Sequence, residues 1–306
     1  MAIDRRDLGR LVLAATCWGI GTVISKAALA EFAPLTLLGI QLASSLVVLA
    51  LLLRSHRVPV LAGLPTRLGR LGLLNPGIAY ALSLLGLVTI TASLSVLLWA
   101  LEPLLIVALA GAFLRERITP AFVALSIVAV AGMVVILYDP AATSGEVIGV
   151  VLTVAGVACC AVYTVLTRRF IPDARETGQV AFAQQAYAMV LALGLVVLVA
   201  VGTGTALPDR VTALGLASAV GSGVLYYAGA YWFYLGALRR VPASMAAVSF
   251  YLIPIVGLVA SAVLLEERLE PRQWFGSAIV LAAVLGVVAP WRADRAATEP
   301  ALSRPS

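Results

Sequence analysis

A stretch of twenty residues occurs twice in this chain, 151 positions apart. The first copy runs from Leu101-Glu102-Pro103 to Phe113-Leu114-Arg115-Glu116-Arg117-Ile118-Thr119-Pro120, and the second from Leu252-Ile253-Pro254 to Leu264-Leu265-Glu266-Glu267-Arg268-Leu269-Glu270-Pro271. Extended back to Tyr80, the alignment holds 11 identities in 41 positions without a gap. Each copy reads as an apolar helix containing a proline, closed by an acidic-basic pair, with a proline opening the next segment. An internal repeat constrains architecture before any single residue does. Here it demands two copies of one structural unit.

The unit is a membrane unit. Apolar runs of about 20 residues follow one another with short breaks, which is the length a helix needs to cross the hydrocarbon core. The chain is 62% hydrophobic and 12% charged, with mean hydropathy +1.04. A soluble domain carries about twice that share of charge. Glycine and proline inside the runs are compatible with membrane helices. The net charge of +6 does not point to nucleic acid, because the basic residues sit in short loops between apolar runs. Cys17, Cys159 and Cys160 lie inside apolar segments without metal-ligand spacing, and the one histidine, His56, lies in a basic loop. The sequence shows no phosphate loop, paired-carboxylate site or metal cluster, so neither an enzyme nor a cofactor is expected. Arg5, Arg6 and Arg10 ahead of an apolar run look like a signal peptide. Yet that run is long enough to span, and its Thr22-Val23-Ile24-Ser25-Lys26 is echoed by Thr164-Val165-Leu166-Thr167-Arg168.

We expect an all-α membrane protein of ten transmembrane helices, near 8–30, 34–53, 71–89, 92–114, 120–138, 146–168, 178–201, 211–238, 243–265 and 272–290. Residues 1–138 form the first five-helix repeat, 139–145 a linker, 146–290 the second repeat and 291–306 a cytoplasmic tail. Five spans per unit, an odd number, forces the halves into opposite orientations, as inverted repeats. With the N-terminus in the cytoplasm, 17 of the 21 lysines and arginines fall in inside loops and tails, 3 fall outside (Arg210, Arg268 and Arg272), and Lys26 lies within a span. That asymmetry predicts a multi-pass protein of the inner membrane with both termini cytoplasmic.

Several stretches resemble the EamA-like permeases of the drug/metabolite transporter superfamily, which have two five-helix repeats. They are Trp18-Gly19 followed by Lys26; Pro34-Leu35-Thr36; Thr91-Ala92-Ser93; Leu101-Glu102-Pro103; Ala243-Ser244; Pro254; Leu265-Glu266-Glu267-Arg268; and Gly276 with Ala282-Ala283-Val284-Leu285-Gly286. The resemblance covers nearly the whole chain. It implies a permease for an amino acid, another metabolite or a toxic compound, without singling one out. Members of that family often carry an arginine in the second helix. Here that region reads Gly39-Ile40-Gln41-Leu42-Ala43, so arginine-based recognition of an anion is not implied.

Glu102 is the leading candidate for solute binding. It falls near mid-span, where an ionised side chain costs some kilocalories per mole, and its counterpart Ile253 shows that the helix does not need a carboxyl there. It either binds a cationic group or exchanges a proton, or it only braces the bend at Pro103. Trp18, Tyr80, Trp99, Tyr163, Tyr231 and Phe250 lie within spans and either wall a cavity or pack. Gln41 either contacts solute or bonds across helices. Pro103 and Pro254 are candidate hinges. Lys26 and Arg168, near opposite faces, are candidates for gating or anchoring. Expected partners are a small solute and the lipid bilayer; a coupling proton and a homodimer are left open, and nucleic acid and metal are not expected. Without an ATP-binding element, active transport draws on a gradient.

Overall fold

The computed structural model describes residues 5–60, 66–114, 144–171, 176–203, 211–241, 243–250 and 252–267, and parts of 120–135 and 270–286. Every regular element among them is helical. In chain order we label α1 (Arg5–Ala28), α2 (Pro34–Ser55), α3 (Arg67–Thr89), α4 (Ala92–Trp99), α5 (Glu102–Leu114), α6 (Ser144–Phe170), α7 (Thr177–Thr203), α8 (Ala213–Leu238), α9 (Ala243–Ser249) and α10 (Leu252–Leu264). Among the described residues 7 helical stretches are long and apolar enough to cross a membrane, α4 and α5 counting as one. The chain is therefore a multi-pass membrane protein. The expected span 243–265 is divided between α9 and α10, while much of 120–138 and 272–290 lies outside the described residues.

Local chemistry sets the helix ends. Pro34 opens α2 behind an extended Ala33, where a missing N–H costs nothing. Thr91 and Thr212 cap α4 and α8, their hydroxyls accepting from the N–H of Leu94 and of Gly215 at 3.0 Å each. Inside α8 lies a wide, π-type turn, Gly223–Gly229, and about 151 positions earlier α3 kinks within Leu74–Ile78, where the Asn75 backbone is extended at φ −147° and ψ 121°. The peptide bond between Asn75 and Pro76 is cis.

Helix pairing has a regular pattern. α3 packs on α6, and α8 on α1; α5 packs on α6, and α10 on α1; α3 packs on α7, and α8 on α2; α5 packs on α9, and α10 on α4. Exchanging α1–α5 with α6–α10 turns each pairing into the other, and α2 against α7 maps onto itself. Two glycines hold this arrangement at close range. A methyl group at Gly72 would collide with the backbone of Gln184, and one at Gly223 with the backbone of Gln41. Their sequence separation is again 151. With little hydrophobic drive between helices in lipid, such small residues let backbones approach.

The helix ends gather into two sets. One end of the bundle joins the α1–α2, α3–α4 and α7–α8 connections with the segment after α10. The other joins the start of α1, the α2–α3 and α6–α7 connections and the α8–α9 turn. Between the ends, the apolar core runs through α1, α3, α6 and α8, and long apolar side chains such as Val190, Val197, Leu198 and Leu214 stay exposed on the outer surface.

Candidate solute cavity

The centre of the bundle holds a cavity built from both halves. α1 supplies Trp18 and Thr22, α3 supplies Asn75 and Tyr80, α4 ends on Trp99, and α5 begins with Glu102. From the second half come Tyr163 and Thr164 of α6, Tyr226, Tyr231 and Tyr234 of α8, Phe250 after α9, and Ile253 of α10. Glu102 and its repeat counterpart Ile253 thus face one space, each 5% exposed. The space open to the centres of water molecules is about 20 Å³. That holds about one or two waters.

Aromatic rings make most of the wall, and they pack edge to face. The Trp18 ring centroid lies 5.2 Å from Tyr234, 5.3 Å from Phe250 and 6.0 Å from Tyr231. Tyr80 lies 4.9 Å from Tyr226, 5.3 Å from Tyr227 and 5.8 Å from Trp99. This geometry sets the positive edge of one ring against the negative face of the next. The Tyr163 hydroxyl donates to Gln184 Oε1 at 2.7 Å, and that of Tyr231 to Tyr80 at 3.3 Å.

Against this ring of paired groups, three polar groups lack partners. No hydrogen bond or ion pair engages the Glu102 carboxyl among the described residues. The Trp18 indole Nε1 and the Asn75 Oδ1 are buried and unsatisfied. No lysine, arginine or histidine lines the cavity among the described residues. Burying a polar group without a partner costs kilocalories. These groups are therefore the candidates to hold water or a solute.

The break between α4 and α5 explains how Glu102 gets there. The chain leaves the helix at Ala100 and Leu101, whose N–H groups bond three residues back, to Leu97 and Leu98. α9 and α10 break at the same place in the repeat. Pro103 and Pro254 therefore sit in the first turn of a new helix, where proline breaks no bond, rather than inside a continuous one. Pro103 is buried beside Glu102.

The remaining predicted residues lie elsewhere. Gln41 is fully buried between helices, its amide donating to Ser25 Oγ and Ser222 Oγ at 2.8 Å each, away from the cavity wall. Lys26 donates to Leu87 O and Ile90 O at 2.8 Å, neutralising the carbonyl end of α3 as a cation at a helix C-terminus does. Arg168 is half-buried in the last turn of α6, toward the opposite end.

The two ends of the bundle differ. At the Lys26 end, carboxylates tie one half to the N-termini of the other. Glu267 accepts from Ala92 N at 3.0 Å, Ser93 N at 2.9 Å and Ser93 Oγ at 2.6 Å. It is aimed by Glu266, which adopts a left-handed φ of 52°. Glu31 accepts from Thr212 N at 2.8 Å and Thr212 Oγ1 at 2.6 Å, and these bonds hold its carboxyl below the ordinary range. Both are anions at helix N-termini. At the other end lies a polar vestibule of about 350 Å³ lined by Arg10, His56, Glu176, Trp232, Arg239 and Arg240. Buried Asp7 bonds Arg10 at 3.0 Å and Arg240 at 3.1 Å there.

The profile of the EamA-like transporter family matches residues 9–138 and again residues 147–289. The chain belongs to the EamA-like transporter family. Among its relatives is a protein of Archaeoglobus fulgidus described as an uncharacterized transporter, 26% identical over 285 residues, covering 91% of this chain and 97% of that one. A solved crystal structure, 18% identical, superposes with a TM-score of 0.68 over 93% of this chain and 98% of its own, which is a likeness of fold.

In this EamA-like chain, sequence reasoning missed Thr22, Asn75, Thr164, Tyr226 and Tyr234. Asn75 carried a signal, being the only asparagine in the chain and lying within a span beside a proline. Tyr227, Tyr231 and Tyr234 share one helical face by spacing, but Tyr226 reaches the cavity only through the wide turn Gly223–Gly229.

Proposed function

We propose that this EamA-like protein is a secondary transporter that moves a small organic solute by alternating access between two inverted five-helix repeats, 1–138 and 146–290, joined by the linker 139–145. On this reading it sits in the inner membrane with ten spans and both termini, including the tail 291–306, in the cytoplasm. It exports an amino acid or related metabolite and performs no chemistry on it. The observation that carries the reading is Glu102, an unpartnered buried carboxyl facing an aromatic cavity between the halves. The reciprocal helix pairings and the twofold family match support the repeat arrangement.

The mechanism follows from the ends. The Glu267 and Glu31 ties close the outer end, while the arginine-rich vestibule is the inner approach. Rocking the halves about the α4–α5 and α9–α10 breaks, at Pro103 and Pro254, exchanges which end is open. Trp18, Tyr80, Trp99, Tyr163, Tyr231 and Phe250 wall the solute, and Glu102 holds its cationic group or a coupling proton. Lys26 and Arg168 hold helix ends during the movement. Efflux of toxic compounds is the second reading, favoured by the largely aromatic wall.

Uptake into proteoliposomes of labelled phenylalanine, threonine and ethidium tests the proposal. Saturable flux with one of them, lost in Glu102→Gln and Glu102→Leu, is the expected result. Flux that is unchanged in both variants removes Glu102 from the mechanism.

A further inference from the structure

Resting on the reading of the cavity as a solute site, and narrowing its solute from amino acids to the related amines, we infer that the site selects primary amines with an aromatic or apolar body and no free carboxylate. Arylalkylamines and the amides or esters of aromatic amino acids are members of that class.

The wall has one carboxyl group and no basic side chain among its described residues. A solute that enters must leave its water behind, so each of its polar groups needs a partner on the wall. An ammonium finds several. Two acceptors face it from the wall: the Asn75 Oδ1, buried without a partner, and the Glu102 carboxyl, which no hydrogen bond engages among the described residues. The faces of Trp18, Trp99 and Tyr80 offer the attraction that aromatic rings exert on cations, which is strongest when both are desolvated.

A solute carboxylate finds the reverse. No basic side chain among the described wall residues would pair with it in this buried space, and beside the carboxylate form of Glu102 it would meet like charge, which repels strongly in low dielectric. Among the described wall residues, the buried donor left without any partner is the Trp18 indole N–H, a neutral group. It suits a neutral acceptor, such as the carbonyl of an amide or ester or a hydroxyl. The wall is therefore complementary to an amine with an uncharged oxygen nearby, rather than to a zwitterion.

Four probes with one common ring separate the possibilities: phenethylamine, L-phenylalaninamide, L-phenylalanine and 3-phenylpropionate. Binding to the purified full-length protein is read by calorimetry. The amine and the amide should bind saturably, with the zwitterion and the acid at least about tenfold weaker. Glu102→Gln should weaken the amine and amide by about tenfold or more, the loss of one charge-assisted bond. Trp18→Phe keeps an aromatic ring but removes the N–H along with part of the ring system; both amines lose the ring area alike, so the amide should be weakened more than phenethylamine, which has no acceptor. Phenylalanine binding as tightly as its amide would overturn the amine class; if Glu102→Gln weakened that binding, the cavity would stand as the solute site. A folded protein that binds none of the four also overturns the class. If flux of another solute still needed Glu102, the transporter reading would survive it; binding untouched by Glu102→Gln and Trp18→Phe would end both.

Discussion

The Tyr231 hydroxyl donates to the Tyr80 hydroxyl at 3.3 Å, joining two residues separated by 151 positions, which is the offset of the internal repeat. Each tyrosine is thus hydrogen-bonded to its own counterpart. On the proposed repeat arrangement, two equivalent residues touch only near the axis that relates their units, so this pair marks where the halves meet. Gly72 and Gly223, with the same offset, flank it at the backbones of Gln184 and Gln41.

The tyrosine pair should be energetically coupled. Tyr80→Phe and Tyr231→Phe each leave one buried hydroxyl without its partner and should cost about 1 kcal/mol. The double variant should cost less than the sum, because the second change removes the orphan left by the first. Unfolding midpoints in detergent, compared across the cycle, check this.

Gly72→Ala and Gly223→Ala should each destabilise by about 1–3 kcal/mol, since the added methyl collides with backbone that cannot turn aside. Gly39 and Gly194 lie in helices with open space where a Cβ would go. Alanine there should be neutral or stabilising, by up to about 1 kcal/mol. The yield of monodisperse protein and its melting midpoint measure the contrast.

Glu267→Ala removes an anion and three accepted hydrogen bonds from the start of α4. A loss of about 1–2 kcal/mol is expected. On the proposed mechanism the variant also opens its outer end more often. Cysteines introduced near Ile90 should then react faster with an impermeant maleimide than in the parent.

Glu31 supplies a pH dependence with a definite sign. Its folded-state carboxyl lies below the ordinary value of 4.5, first because of the Thr212 hydroxyl and then because of the Thr212 N–H. A depressed carboxyl stabilises the fold above its unfolded pKa and stops doing so as pH falls through the folded one. The difference in melting midpoint between the parent and Glu31→Gln should be constant from pH 7 to about 5 and shrink below 4.5. The effect should be small, because the group is exposed.

Much of this was legible in the chain itself, for physical reasons. The apolar runs announced membrane helices, and a carboxyl among them drew attention to Glu102, which lines the cavity, because lipid makes such a group expensive. Six of the predicted aromatics reach the cavity, five of them with polar tips that seek either water or partners and Phe250 as an apolar ring. What was hidden depended on geometry beyond local spacing. The wide turn in α8 shifts Tyr226 off the usual helical period. Gln41 could have faced solute or neighbour, and only the approach of Gly223 puts it between helices. Glu267 read as a helix-end charge, but its partner Ser93 is 174 positions away. The prolines looked internal to a helix until the break before each placed it in a first turn. Arg115, Glu116, Arg117 and Arg268, further charges of the repeated motif, lie outside the described residues.

The central claim is that Glu102 carries solute across the membrane through the cavity it shares with Ile253. Flux of phenylalanine, threonine, phenethylamine and ethidium into proteoliposomes, measured for the parent, Glu102→Gln and Ile253→Leu at matched amounts of folded protein, tests it most directly. The account predicts saturable flux of at least one probe, reduced about tenfold or more by Glu102→Gln and left within about twofold by the conservative apolar exchange at Ile253. Flux that survives Glu102→Gln at the parent rate would contradict it.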